Sequence, residues 1–314
     1  MTNDVRSVYD VLAGIDAAVI AVHEKPDGDA CGAAVSCALL VQSMGKKFRI
    51  ADRNAFPAQY DFLIAQLNDT CSDADTMIIL DSGTIDRLDA STSSGISGKK
   101  IINIDHHEDN TLFGSANLVV KSASSTCEIV FSIAQCFSGE LPNAFYEAVY
   151  TGIMTDTGNF AFSNATAETF EVASAIMRRL GDPSSLYRRI WASFSPSVMQ
   201  AYGRILSRIL VFNNNKLVVS YISLTDCNEL GISYKDIEGV TNLLGSVKNA
   251  EVWALIKETA PDVSRVSLRS AGNRSVADFA REHEGGGHKF AAGATLYGTC
   301  EDIKRQLKEY WSDL

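Results

Sequence analysis

At 314 residues the chain exceeds the roughly 100 to 200 residues of a usual domain, which predicts two domains. Hydrophobic residues at 46% and charged residues at 21% exclude a disordered chain. A net charge of -10 excludes tight binding to long nucleic acid through a broad basic face, although divalent cations and a few placed arginines still allow a short phosphate ligand. The 7 cysteines include no CxxC pair, so neither a disulfide framework nor a zinc ribbon is suggested, and a reducing cytoplasm is the expected location. The longest early apolar run, 17–22, is too short to span a bilayer and has no basic segment before it, so no targeting or membrane segment is expected.

The first half alternates short apolar runs with helical patterns, as a mostly parallel sheet flanked by helices does. Residues 17–22 read as a buried strand. A helix follows over 29–44, with Ala33, Ala34, Cys37, Leu40 and Val41 at helical spacing and Gly45 as its C-terminal stop. Further strands are predicted at 47–51, 76–80 and 100–104. Ser125-Thr126-Cys127-Glu128 has the form of a capping box and predicts a helix start, and another helix is predicted over 143–154. From 166 to 210 the pattern stays helical, broken at Gly181-Asp182-Pro183 and near Ser195-Pro196, and predicts an all-helical connector. Strands return at 216–222, 251–257 and 263–269, then a helix over 276–283, a triple glycine and a last helix over 302–311, together a smaller α/β domain. The expected boundaries are 1–190, a helical linker at 191–212, and 213–314.

In open parallel sheets ligands bind at the carboxyl ends of the strands, and three strand ends here carry titratable residues. The first holds His23, Asp27 and Asp29, the second Asp81, the third Asp105, His106 and His107. Singly each has a bland explanation: an Asp before a helix is usually an N-cap, and Asp27-Gly28 is a common turn pair. Together they are harder to dismiss, because three of only 5 histidines lie at strand ends that the topology places side by side. Carboxylates mixed with imidazole suit Mn2+ or a similar ion, whereas structural zinc prefers thiolates and histidines. One acid shared by two ions would hold them about 3.5 to 4 Å apart, and a water bridging them would lose its proton near neutral pH. Asp156, in Thr155-Asp156-Thr157-Gly158, reads alone as a loop or capping residue and gains weight only in this company.

These residues, as His23-Glu-Lys-Pro-Asp27-Gly-Asp29-Ala-Cys-Gly32, Asp81 in Leu-Asp-Ser-Gly-Thr, Asp105-His106-His107, and Gly152-Ile-Met-Thr-Asp156-Thr-Gly158, resemble in order the four motifs of the DHH phosphoesterases. Asn110, Phe113, Asn117 and Ser124-Ser-Thr-Cys-Glu128 resemble that family's text as well. The resemblance implies one ion on His23, Asp27 and Asp81, and another on Asp29, Asp81, His106 and Asp156, with Asp81 bridging. It implies that His107 stands beside the reacting phosphate and that Asp105 orients the histidines. It also implies Mn2+ as the metal, with Mg2+ or Co2+ as substitutes. The second half resembles the DHHA1 domain through Val266-Ser-Leu-Arg269-Ser and Gly285-Gly286-Gly287-His288-Lys-Phe-Ala-Ala-Gly293. There the glycine run is expected to cradle an anion with its backbone N–H groups, helped by Arg269 and His288.

In length the chain is similar to the nanoRNase and pAp-phosphatase subgroup, compact relatives of the RecJ exonucleases. That implies hydrolysis of very short single-stranded RNA to mononucleotides and of pAp to AMP, with attack by the bridging hydroxide. A phosphodiesterase acting on c-di-AMP or pApA is the alternative. A manganese pyrophosphatase is disfavoured by the second domain, and a non-catalytic nucleotide sensor by the intact motif set. No long nucleic acid and no membrane is expected as partner, and a homodimer is among the open assemblies.

Overall fold

The computed structural model describes residues 4–314 other than Gln66, Pro183, Ser193, Glu238 and Asn273, and for His288 only the backbone. The chain divides into two compact units, 1–193 and 194–314.

In the first unit the elements run α1 (Val5–Ala13), β1 (Ala17–Ala21), α2 (Gly28–Ser43), β2 (Lys47–Ile50), α3 (Asp61–Ile64), β3 (Thr76–Leu80), α4 (Ala90–Ser94), β4 (Lys100–Asp105), β5 (Ala116–Val119), α5 (Thr126–Ala134), α6 (Asn143–Asp156), α7 (Ala167–Leu180) and α8 (Ser184–Trp191). All pairings in its 5-stranded sheet are parallel, in the order β2-β1-β3-β4-β5. Parallel strands buried on both faces read as continuous apolar runs, which is why β1 and β3 are legible. Alternate residues serve opposite faces: Ile20, Ile78, Leu80, Ile102 and Ile104 join the core under α1, α2, α5 and α6, whereas Val19, Ala21, Met77, Ile79 and Ile101 join the other. The direction of winding reverses between β1 and β3, and such a switch point is where open α/β sheets present a crevice for ligands.

Two glycines set how closely the helices converge behind that crevice. A Cβ on Gly32 would lie 2.5 Å from the Ala148 carbonyl oxygen, and one on Gly152 would lie 2.2 Å from Cys127 Sγ and 2.7 Å from Asp29 Oδ1. Only glycine lets α2, α5 and α6 meet there.

The second unit contains α9 (Pro196–Ser207), β6 (Leu210–Phe212), β7 (Leu217–Ile222), α10 (Leu224–Leu230), α11 (Val240–Leu244), β8 (Val252–Ala260), β9 (Val263–Ser270), α12 (Ala277–Glu282), β10 (Gly286–His288), β11 (Ala291–Tyr297) and α13 (Cys300–Tyr310). Its 6-stranded sheet has the order β10-β11-β9-β8-β7-β6, with β7 and β8 parallel and the other neighbours antiparallel.

Four features depart from expectation. The stretch 166–210 is not one connector: α7 and α8 contribute Ile176, Leu186 and Ile190 to the first core, whereas Val198, Ala201, Tyr202 and Ile205 of α9 pack with Val218 and Leu255 of the second. The capping box at α5 is half formed. Ser125 Oγ accepts the Glu128 N–H at 3.1 Å, but the Glu128 carboxylate accepts from Ser124 Oγ at 2.6 Å and Thr169 Oγ1 at 2.9 Å. The glycine run, where no strand was expected, forms an edge strand, with Gly286, Gly287 and His288 opposite Gly293, Ala292 and Ala291. Finally, α1, β5, β6 and β11 were not expected; α1 places Val5, Val8, Tyr9 and Leu12 at helical spacing against the first core, and β11 alternates buried and exposed residues. Among the described residues no helix is long and apolar enough to cross a membrane.

Candidate metal centre

The carboxyl ends of β1, β3 and β4 bring the predicted cluster together. His23 follows β1 and is buried, with Nδ1 2.9 Å from the Glu24 carbonyl oxygen. That carbonyl can only accept, so Nδ1 carries the proton and Nε2 faces inward, 3.6 Å from Asp81 Oδ2. Asp27 is the N-cap of α2, its Oδ1 accepting the N–H groups of Asp29 and Ala30 at 3.1 Å. Capping employs one oxygen and leaves the other, so cap and metal ligand are compatible roles for this residue.

Asp29, in the first turn of α2, is fully buried and accepts from the first turn of α5: Thr126 N–H at 2.7 Å and Cys127 N–H at 3.0 Å. The positive end of that helix favours the carboxylate. Burial and the nearby Asp81, Asp156 and Asp27 nevertheless push its pKa well above the ordinary range.

Asp81 ends β3 in left-handed backbone, φ 55°, a conformation that costs a non-glycine residue energy and is held here by its surroundings. Its Oδ1 accepts from Thr126 Oγ1 at 3.0 Å and lies 3.6 Å from His106 Nε2. Burial opposes its charge, but His23, His107 and His106 outweigh that and lower its pKa. His106 Nδ1 donates to the Ala123 carbonyl at 3.2 Å, leaving Nε2 between Asp81 and Asp156 Oδ2, the latter at 3.7 Å. Asp156 is the last residue of α6. Burial, reinforced by Asp81 and Asp27 and opposed by His106 and His107, raises its pKa to about 6. Asn164 reaches back to hold it, donating to its backbone oxygen at 3.1 Å.

His107 is placed differently. Its Nδ1 donates to Asp105 Oδ1 at 2.7 Å, and its Nε2 stands 3.0 Å from Arg87 Nη1. Asp105 is fully buried, and its second oxygen accepts from Asn110 Nδ2 at 2.6 Å. The bond to Asp105 raises the His107 pKa, against burial and Arg87.

Among the described residues, three sets have donor atoms within 4.8 Å of one another: His23, Asp27 and Asp81; Asp29, His106 and Asp156; and Asp81, His106 and His107. The first two share no residue but meet where His106 Nε2 lies 3.6 Å from Asp81 Oδ1. In the third, both His107 nitrogens are already engaged. Oxygen and imidazole donors without a thiolate fit Mn2+ or Mg2+ rather than a structural zinc. Four carboxylates facing one another, two of them raised by burial and mutual repulsion, are the electrostatic setting that divalent cations relieve. Arg87 and Asn164 did not stand out in the sequence, and Thr126 stood out only as part of a helix start and of text resembling the family's, because their partners are remote along the chain and none belongs to a titratable strand end.

The second-unit candidates are laid out by sheet register: Arg269 on β9 lies opposite Ala291 on β11, which lies opposite His288 on β10. Arg269 Nη1 donates to the Leu268 carbonyl at 3.0 Å. Gly285 precedes the strand, its N–H donating to the Ala280 carbonyl at 2.7 Å. The side chain of His288 lies outside the described residues. As an edge strand, β10 leaves one side of its backbone groups without a strand partner.

Residues 17–153 match the DHH family, N-terminal domain, and residues 214–313 match the DHHA1 domain. A protein of Thermus thermophilus named bifunctional oligoribonuclease and PAP phosphatase NrnA is 29% identical over 299 residues, 93% of this chain and 88% of that protein. The crystal structure of an exopolyphosphatase-related protein from Bacteroides fragilis is 25% identical and superposes with a TM-score of 0.84, covering 98% of this chain and 96% of that one. RecJ from Thermus thermophilus, solved in complex with Mn2+, shares the fold at a TM-score of 0.54 and 14% identity, covering 99% of this chain and 55% of that one.

Proposed function

The chain belongs to the DHH family, with a DHHA1 domain as its second unit, and is a phosphoesterase; from that premise we propose that it hydrolyses very short RNAs to mononucleotides and pAp to AMP. The observation that carries this reading is the meeting of His23, Asp27, Asp29, Asp81, His106 and Asp156 at the carboxyl ends of neighbouring parallel strands, with donor atoms close enough to share cations. In this reading His23, Asp27 and Asp81 hold one ion, and Asp29, Asp81, His106 and Asp156 the other. Bound Mn2+ would supply Lewis-acid charge for the phosphoryl oxygens and make water acidic enough to react near neutral pH.

The chain's own residues do the rest. His23 and His106 each donate Nδ1–H to a backbone carbonyl, which fixes the tautomer and turns Nε2 inward. Thr126 bonds both Asp29 and Asp81 and so sets their relative orientation. Asn110 and Asp105 aim the His107 ring, which stands beside the reacting phosphate. Arg269, Gly285, Gly286, Gly287 and His288 are the second unit's candidates for holding a phosphate group. Short substrates suit a chain of net charge -10, because its attraction for a phosphate is local rather than spread along a basic groove. Seven free cysteines accord with a reducing cytoplasm.

The test is to incubate the purified chain and Mn2+ with pAp, c-di-AMP, a labelled dinucleotide and a long labelled RNA, and to rank initial rates. The reading expects the dinucleotide and pAp to lead and the long RNA to be inert. A lead for c-di-AMP, or hydrolysis of the long RNA at a comparable rate, would replace it.

A further inference from the structure

Arg87 closes a short 3-10 turn, Ile85–Arg87, after β3. Its carbonyl accepts the Glu24 N–H at 2.7 Å, which ties this turn to the strand end that carries His23. The side chain is half-buried, and its Nη1 meets His107 Nε2 at 3.0 Å. Among the described residues it forms no ion pair, although Asp81 and Asp105 both lie within reach of the imidazole it touches.

The donors and acceptors along this row are fixed by chemistry. The Asp105 carboxylate can only accept, so Nδ1 of His107 carries a proton; the guanidinium can only donate, so Nε2 offers a lone pair. Phosphoryl oxygens are acceptors too. In this arrangement Nε2 has no proton to offer a phosphate, whereas Arg87 keeps further N–H groups in a fork that matches phosphate oxygens. Building on the reading of the metal centre above, we propose that Arg87 is a catalytic residue that donates to the non-bridging oxygens of the phosphoryl group, and that His107 is the acceptor that aims it. The row Asn110–Asp105–His107–Arg87 is then a positioning relay that ends on a cation and runs beside Asp81, 3.6 Å from His107 Nδ1.

The test uses the Mn2+-loaded full chain and its Arg87→Ala and Arg87→Lys variants, with three readouts: bound metal, binding of inorganic phosphate by calorimetry, and hydrolysis of pAp and a dinucleotide. Metal content should match the parent in both variants. Phosphate affinity should fall on the order of 10- to 100-fold in Arg87→Ala and turnover by about a hundredfold or more, as for loss of a charge-assisted contact that strengthens in the transition state. Arg87→Lys should recover part of the phosphate binding, and added guanidinium ion should raise the rate of Arg87→Ala. Phosphate affinity and turnover within about threefold of the parent would overturn the proposal, and so would loss of metal, which would make Arg87 a support of the centre. If the parent binds metal and phosphate but hydrolyses neither substrate, the proposed function falls while Arg87 is still judged by the phosphate arm.

Discussion

Thr126→Val isolates the contribution of one hydroxyl to the centre. Valine matches threonine in shape and is tolerated at the first position of α5, where Ser125 remains the cap. The backbone N–H of Thr126 stays and continues to donate to Asp29 at 2.7 Å. What disappears is the 3.0 Å bond from Oγ1 to Asp81 Oδ1, in a place where both residues are buried and no bulk water can replace it. A hydrogen bond to a charged group is worth about 1.5 to 3 kcal/mol, and losing a partner that orients a metal ligand costs roughly 10- to 100-fold in metal affinity or activity. Mn2+ affinity, measured by competition with a fluorescent chelator, should therefore fall by about that factor in Thr126→Val and stay near the parent in Thr126→Ser. Equal affinities in the parent and the valine variant, within about threefold, would refute the claim that Thr126 sets the bridging carboxylate.

The other predictions concern packing, charge and the second unit. Gly152→Ala places a methyl group 2.2 Å from Cys127 Sγ and should destabilise the first unit by about 1 to 3 kcal/mol in thermal or denaturant unfolding, with Cys127→Ala in the same chain recovering part of the loss. His107→Ala should lower turnover on the order of a hundredfold while metal analysis finds the ions retained, since neither of its nitrogens is free to ligate. Asp226 is held well below the ordinary carboxylate range, chiefly by Arg208 and further by Ser223 and Arg204. Its stabilisation is thus full above the ordinary Asp range and lost as pH falls through the folded value, so melting curves of the parent and Asp226→Asn should differ at neutral pH and converge in acid. Arg269→Ala should weaken pAp hydrolysis roughly 10- to 150-fold and leave a small generic phosphodiester almost unaffected, the worth of one charged contact to a distal phosphate.

The proposed ligands His23, Asp81 and His106 were legible in the sequence because each lies just beyond a continuous apolar run, and a parallel sheet aligns such ends, whereas Asp156 ends a helix and gained weight only in their company. Asp27 shows how one residue satisfies two rules, since its N-cap bonds do not consume its second oxygen. Asp29 was legible as a candidate but not as the residue that receives the N-terminus of α5, which lies remote in the chain. Arg87 and Thr126 follow the same logic, being ordinary turn and helix residues until the fold brings His107 and Asp81 to them. That the glycine run forms a strand was not legible for a related reason. Glycine signals a turn locally, but strand pairing is settled by the partner, and β11 recruits Gly286 and Gly287 into the sheet. Likewise, the apolar positions of α9 state that it packs without stating on which core, and Val218 and Leu255 of the second sheet answer that.

If Asp81 bridges two cations that together support phosphoester hydrolysis, removing its carboxylate disables both ion sites at once. The direct measurement is bound Mn2+ and initial rate on pAp and a dinucleotide for the parent and Asp81→Ala, with circular dichroism confirming the fold. Two equivalents and turnover are expected in the parent, and in the variant a loss of metal with hydrolysis abolished on both substrates. A folded Asp81→Ala chain that kept two equivalents of Mn2+, or more than about a tenth of the parent rate at saturating metal, would contradict the bridging role.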